Sequence, residues 1–242
     1  MQFVPGSVVG PWTLEAPLGE GGNAEVWRAT SAEHPGPLAL KLILDRRALA
    51  VPYQRFRREI ETLEQIGEHA GVLPVVGSSL PAQPSRRDRA WLAMPIAEPL
   101  AAALAGQQLE AVVGAVGEIA ATLIDLNQRF GIAHRDIKPA NLYRYDGRAV
   151  VGDFGLVDVP GAETLTAGDR IIGPANFVAY EMMVNADTAD GHHADVYSLA
   201  KSLWVLGCGN TWPPPGHQPA SNGKLGIGAF RAHARAATLD DI

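Results

Sequence analysis

Polar interruptions give the apolar runs of this chain their meaning. From Tyr53 to Ile66 the positions Phe56, Ile60, Leu63 and Ile66 recur at helical spacing and draw one stripe down a helix. Arg57, Arg58, Glu61, Glu64 and Gln65 point elsewhere, whereas Glu59 falls inside the stripe. A longer helix is drawn by Leu109, Val112, Val113, Val116, Ile119, Leu123 and Phe130, with Asn127 on the same face and Gly131 placed to end it. Residues 10–27 read as strand, glycine-rich turn and strand, residues 38–44 as a strand that is apolar except at Lys41, and residues 72–76 as a short strand. The basic, proline-bearing stretch 81–89 reads as a solvated hairpin loop, 212–216 as a Pro/Gly loop, and 225–242 as a last helix. There is no internal repeat.

One hairpin carries geometry as well as structure. Residues 142–145 and 148–152 flank Asp146-Gly147, a pair that favours the positive φ angles of a type I′ turn. Counting outward pairs Tyr145 with Arg148, Tyr143 with Val150 and Asn141 with Gly152, so Asn141 and Asp153 leave the open end side by side. An amide oxygen and a carboxylate so placed suit Mg²⁺, which takes one or two protein oxygens and completes its octahedron with water and phosphate. Asp136 and Lys138 sit in the loop just before. A carboxylate there could accept a hydroxyl proton while the lysine neutralises charge on a phosphoryl group in transfer.

Lys41 and Glu59 are each out of place in their own run. A lysine in an apolar strand either snorkels to solvent or finds a partner. A carboxylate carried toward a core is costly unless paired, so a Lys41–Glu59 pair resolves both. The run Gly19-Glu20-Gly21-Gly22-Asn23-Ala24 is open to two readings: a plain hairpin turn, or backbone left bare so that a phosphate can approach its N–H groups.

Composition narrows the class. With 242 residues the chain can bury a sizeable core, and no run approaches the roughly 18 uninterrupted apolar residues of a spanning helix. The first residues lack the basic and apolar regions of a secretory signal. Cys208 stands alone, which fits a reducing cytoplasm. A formal net charge of −6 disfavours a nucleic-acid partner, and abundant Ala, Gly, Pro and Arg resembles proteins of GC-rich bacteria.

His134-Arg135-Asp136-Ile137-Lys138-Pro139-Ala140-Asn141, followed by Asp153-Phe154-Gly155, resembles the catalytic loop and metal motif of eukaryotic-type Ser/Thr protein kinases. The resemblance runs from Gly19 to Asp195 and implies an α+β, two-lobed fold in one domain: a small β-rich N-lobe over about 10–94, a hinge over about 95–98, and a larger helical C-lobe over about 99–242. It implies ATP with Mg²⁺ or Mn²⁺ as cofactors and a protein with Ser/Thr acceptors as partner. Asp136 and Lys138 would be catalytic, and Asn141 and Asp153 would hold the metal. Gly19, Gly21, Val26, Ala39, Lys41 and Glu59 would bind or position nucleotide, with Met94 as gatekeeper. Within residues 91–98 Ala97 would supply the hinge donor, since Pro95 has no N–H. Leu63, Val75, His134 and Phe154 would stack as a spine.

Asp195 either braces the catalytic loop or caps its own helix, and His192 and His193 read as solvated loop. Arg135 could pair with a phosphate placed on Thr164 or Thr166, in a segment that also carries Arg170. The chain departs from the pattern at Ala24, at Gly173-Pro174, where the family has a bridging threonine hydroxyl, and at Ala179-Tyr180-Glu181. No helix supplies an arginine for Glu181, which implies a shortened C-lobe or a piece of a longer protein with further domains. These departures carry the alternative reading, a pseudokinase acting as a nucleotide-binding or scaffolding module. The retention of Lys41, Glu59, Asp136, Asn141 and Asp153 opposes it.

Overall fold

A computed structural model of the chain describes residues 3–21, 23–45, 47–82, 84–85, 88–158, 176–185, 188–216 and 223–230. The chain divides into two compact units, one of residues 1–69 and 73–97, the other of residues 70–72 and 98–242.

The first unit is a six-stranded antiparallel sheet with one helix. Its strands are β1 (Val8–Val9), β2 (Trp12–Gly21), β3 (Ala24–Ser31), β4 (His34–Ile43), β5 (Gly77–Ser79) and β6 (Trp91–Met94), in the order β1-β2-β3-β4-β6-β5. Helix α1 (Val51–Ile66) follows β4; Pro52 sits in its first turn, where a missing N–H is harmless. Its buried residues include Phe56, Ile60, Leu63, Ile66 and also Glu59, the stripe drawn by periodicity.

Strand register explains why residues 38–43 of β4 are apolar except at Lys41. Leu38, Leu40 and Leu42 join Trp12, Leu14, Trp27, Ala29 and Ala93 in one core cluster. The alternate positions, Ala39 and Lys41, belong to the other face. There Val26 pairs with Lys41 and Lys41 with Leu92, while Ala39 pairs with Met94. Both faces of the strand are therefore covered, which is why alternation was weak in the sequence.

The expected strand at 72–76 is corrected. Val72 makes an isolated parallel bridge to Val151, the Val76 N–H reaches the Ala93 carbonyl at 2.9 Å, and regular ladder pairing begins at Gly77. Pro74, with no N–H to give, interrupts the ladder. Residues 81–89 do connect two antiparallel strands, β5 and β6.

The second unit is mainly helical among its described residues. It comprises β7 (Glu98–Pro99), α2 (Leu100–Ala103), α3 (Leu109–Phe130), β8 (Leu142–Tyr145), β9 (Arg148–Val151), α4 (Tyr180–Asn185) and α5 (Gly191–Cys208), with a three-stranded sheet ordered β7-β8-β9. Helix α3 packs on both β9 and α5. It buries Leu109, Val112, Ala115, Val116, Ile119, Thr122 and Leu126. Val113 is exposed and Leu123 and Phe130 are half-buried, because the inward stripe drifts onto the small Ala115 and onto Leu126. Gly131 ends α3 in the left-handed conformation, at φ 67°.

The helix expected over 225–242 is also corrected where it is described: residues 225–230 hold only a 3₁₀ turn, Ile227–Ala229. Gly226 and Gly228 around Ile227 disfavour a regular helix. The remainder lies outside the described residues. Among those residues no helix is long and apolar enough to cross a membrane.

Candidate active site

In the second unit the chain leaves α3 at Gly131 and runs through buried Ile132 and Ala133 into the loop 134–141. Arg135 takes φ 63°, a left-handed conformation unusual for a residue with a side chain. Asp195, reaching from inside α5, holds the backbone there. Its carboxylate accepts the N–H of His134 at 2.6 Å and the N–H of Arg135 at 2.7 Å. Of the two readings of Asp195, brace or cap, the geometry selects the brace. The cap of α5 is Asp190, whose carboxylate accepts from the N–H groups of His192 and His193. The two histidines thus open the helix, and among the described residues no metal-binding cluster of three or more His, Cys, Asp or Glu occurs. Burial pushes the Asp195 carboxyl above its ordinary value, while the two donated N–H groups pull the other way.

His134 is buried and bonded at both ring nitrogens: Nε2 lies 3.2 Å from the Gly152 carbonyl, and Nδ1 lies 3.3 Å from the Asp136 N–H. The carbonyl can only accept and the N–H can only donate, so the ring is the neutral tautomer with its proton on Nε2. Its edge meets the ring of Phe154 at 4.8 Å between centroids. Of the expected spine, these two members touch. Leu63 and Val75 belong to the first unit, Leu63 buried and Val75 half-buried.

Asp136 is the hub of the loop. Its Oδ2 accepts from Lys138 Nζ at 2.7 Å and from Asn141 Nδ2 at 2.9 Å, and the same amide donates to the Asp136 backbone carbonyl at 2.8 Å. Oδ1 takes no hydrogen bond among the described residues. Two acceptors fix the Asn141 amide with its nitrogen toward Asp136, leaving its oxygen on the other side. The hairpin register is as counted from the turn: Tyr145 opposite Arg148, Tyr143 opposite Val150, and Gly152 N–H on the Asn141 carbonyl at 2.9 Å. Asp153 follows at φ 63°.

In the first unit Lys41 Nζ meets both Glu59 oxygens, at 2.7 and 2.8 Å. Glu59 is 2 % exposed and Lys41 13 %, so the lysine does not snorkel. Breaking such a pair costs about 3–5 kcal/mol, since it strands a buried charge. Gly19 pairs with Val26 and Gly21 with Ala24, which puts both glycines in strand β2 rather than in the turn. Neither takes a positive φ, and nothing within 4 Å fills the place of a Cβ at Gly19. Met94 ends β6, and Ala97, half-buried, is the last residue of the unit. Thr164, Thr166, Arg170 and Pro174 lie outside the described residues.

Several working residues escaped the sequence reading. Glu118 on α3 accepts the N–H of Ala149 at 2.6 Å and so satisfies β9. Lys201 donates to the Pro214 carbonyl at 2.8 Å and to that of Gly216, clamping the Pro/Gly loop. Asp158 pairs with the Arg135 guanidinium. Only Asp190 had a local signal, an Asx residue directly before a helix.

The family described as "Protein kinase domain" matches residues 12–229. The chain is 30% identical over 223 residues to the DNA damage-responsive serine/threonine-protein kinase RqkA of Deinococcus radiodurans, covering 88% of this chain and 32% of that protein. It is 31% identical over 219 residues to the serine/threonine-protein kinase PknD of Mycobacterium tuberculosis, covering 87% and 31% respectively. The chain thus spans about a third of the length of these curated relatives. The crystal structure of the M. tuberculosis PknI kinase domain superposes with a TM-score of 0.66 at 24% identity, covering 99% of this chain and 89% of that one.

Proposed function

The chain belongs to the protein kinase family, and from that premise we propose that it transfers the γ-phosphoryl group of ATP to Ser or Thr hydroxyls of protein substrates. The observation that carries this reading is the Asp136 carboxylate, held through Oδ2 by Lys138 and Asn141 with Oδ1 left for an incoming hydroxyl. Asp136 orients that hydroxyl and takes its proton. Lys138, bonded to the same carboxylate, neutralises charge developed on the transferring group. A lysine two residues after the aspartate, together with relatives named as serine/threonine kinases, supports Ser/Thr as acceptor.

The donor set suits Mg²⁺ or Mn²⁺: the Asn141 amide is pinned with its oxygen outward, and Asp153 adds a carboxylate two residues beyond β9, both hard oxygens. Bound there, the ion would neutralise phosphate charge. Lys41, fixed by Glu59, is the cation for the nucleotide phosphates. Val26, Ala39 and Met94 share its sheet face and offer apolar contact to adenine, with Ala97 as hinge donor. The empty Cβ position at Gly19 supports close approach of a phosphate to bare backbone.

Incubation with labelled ATP and Mg²⁺ tests the reading. Label should pass to the chain itself or to a generic protein acceptor, and Asp136→Asn should lower the rate by about 10²–10⁴-fold. Nucleotide binding with no transfer by the wild type would instead identify a scaffold.

A further inference from the structure

We propose that Asp158 is a positioning residue, a built-in anion that holds Arg135 and through it the catalytic loop, so that competence does not require a phosphate on Thr164 or Thr166. The proposal rests on the kinase reading of the loop 134–141. Arg135 directly precedes Asp136, and its side chain is only 8 % exposed. A guanidinium so enclosed needs a counter-charge, because an unpaired buried cation costs several kcal/mol. Asp158 supplies it: its carboxylate accepts from the Arg135 Nη2.

Asp158 is itself fixed. It exchanges two backbone hydrogen bonds with Ala133, donating to the Ala133 carbonyl at 2.9 Å and accepting the Ala133 N–H at 3.2 Å. The Asp158 backbone is thereby tied to the residue two positions before the arginine that its carboxylate holds. On the other side the α5 backbone closes the space. A Cβ built on Gly191 would lie 2.9 Å from Arg135 Nε and 2.7 Å from the Ala133 Cβ, so only glycine lets the helix start come this close. The buried Nε has no partner among the described residues.

Arg135 is therefore gripped at three places: its backbone N–H by Asp195, its guanidinium by Asp158, and its flank by Gly191. A phosphate brought to the same guanidinium would meet a carboxylate already in place, and two anions sharing one cation repel. The role that a phosphothreonine would fill by pairing with Arg135 is filled by a residue of the chain.

The test uses the full chain with Thr164→Ala and Thr166→Ala combined. In steady-state transfer to a protein acceptor, this background should keep kcat within about twofold of the wild type. Adding Asp158→Asn should lower kcat on the order of tenfold with KM for ATP unchanged, and Asp158→Glu should restore most of it. A double alanine variant as impaired as Asp158→Asn, or a neutral Asp158→Asn, overturns the proposal. A second readout needs no turnover: phenylglyoxal should modify Arg135 slowly in the wild type and quickly in Asp158→Asn, followed by peptide mass spectrometry. Equal reactivity also overturns it. A wild type that transfers no label defeats the kinase reading, and the labelling experiment then still judges the Arg135–Asp158 pair.

Discussion

At the residue scale, charge inside an apolar stripe was the informative signal. Glu59 and Lys41 each violated their own element's pattern, and a single pairing 18 residues apart removed both violations, as the structure has it. Asp195 gave no comparable signal, because a brace and an N-cap look alike in sequence when the partner lies 61 residues away. Its burial has a consequence for stability. A carboxyl whose folded value is raised stabilises the fold fully below its unfolded value and loses that contribution as pH rises through the folded value. Starting from the ordinary 3.8, the wild type should therefore lose stability relative to Asp195→Asn as pH climbs above that point. Urea unfolding of both proteins across pH 4 to 7 checks the sign; a gap independent of pH would show that the backbone donors fully offset burial. The same substitution removes one of two acceptors, so it should weaken the loop at every pH by about 1–3 kcal/mol.

Elements were legible where local chemistry decides them and illegible where tertiary contact does. Asp146 and Gly147 take φ 48° and 76°, both positive as a type I′ turn requires, and that local fact set the register which places Asn141 beside Gly152. By contrast, nothing near residue 71 announces that Gly71 must be glycine. It lies against α3, and a Cβ there would fall 1.9 Å from Thr122 Oγ1, with Cβ and Cγ2 of Thr122 each at 2.8 Å. The close approach lets the Gly71 carbonyl accept the Val151 N–H at 2.9 Å, which ties residues 70–72 to β9. Gly71→Ala should destabilise by about 1–3 kcal/mol through overpacking. Thr122→Ala in the same chain should recover part of that loss, although Thr122 also gives up its bond to the Glu118 carbonyl. A double-mutant cycle read by denaturant unfolding should thus show a favourable coupling; strict additivity would mean the segment shifts freely.

At the scale of the whole molecule, family membership was legible because one loop and one hairpin concentrate the chemistry within residues 134–155, while the helical remainder is generic packing. The reading that follows makes ligand binding a property of folding. A nucleotide that binds only the folded chain stabilises it by RT ln(1 + [L]/Kd), about 2.7 kcal/mol at a hundredfold excess over Kd. For a chain of this size that corresponds to a Tm rise on the order of 5–10 °C. Lys41→Met should reduce the rise by removing the phosphate cation, though it also takes away the lysine that pairs with buried Glu59 and lowers the ligand-free Tm. Asp153→Asn should reduce it by weakening the metal, and chelation of Mg²⁺ from the wild type should do the same without any substitution. Asp136→Asn should leave the rise nearly intact, since Asp136 acts on the acceptor hydroxyl. Thermal unfolding with and without Mg-ATP separates these outcomes. A shift lost equally in Asp136→Asn and Lys41→Met would assign Asp136 to nucleotide binding rather than to chemistry, whereas no shift in the wild type would leave the chain without the donor that every proposed step requires.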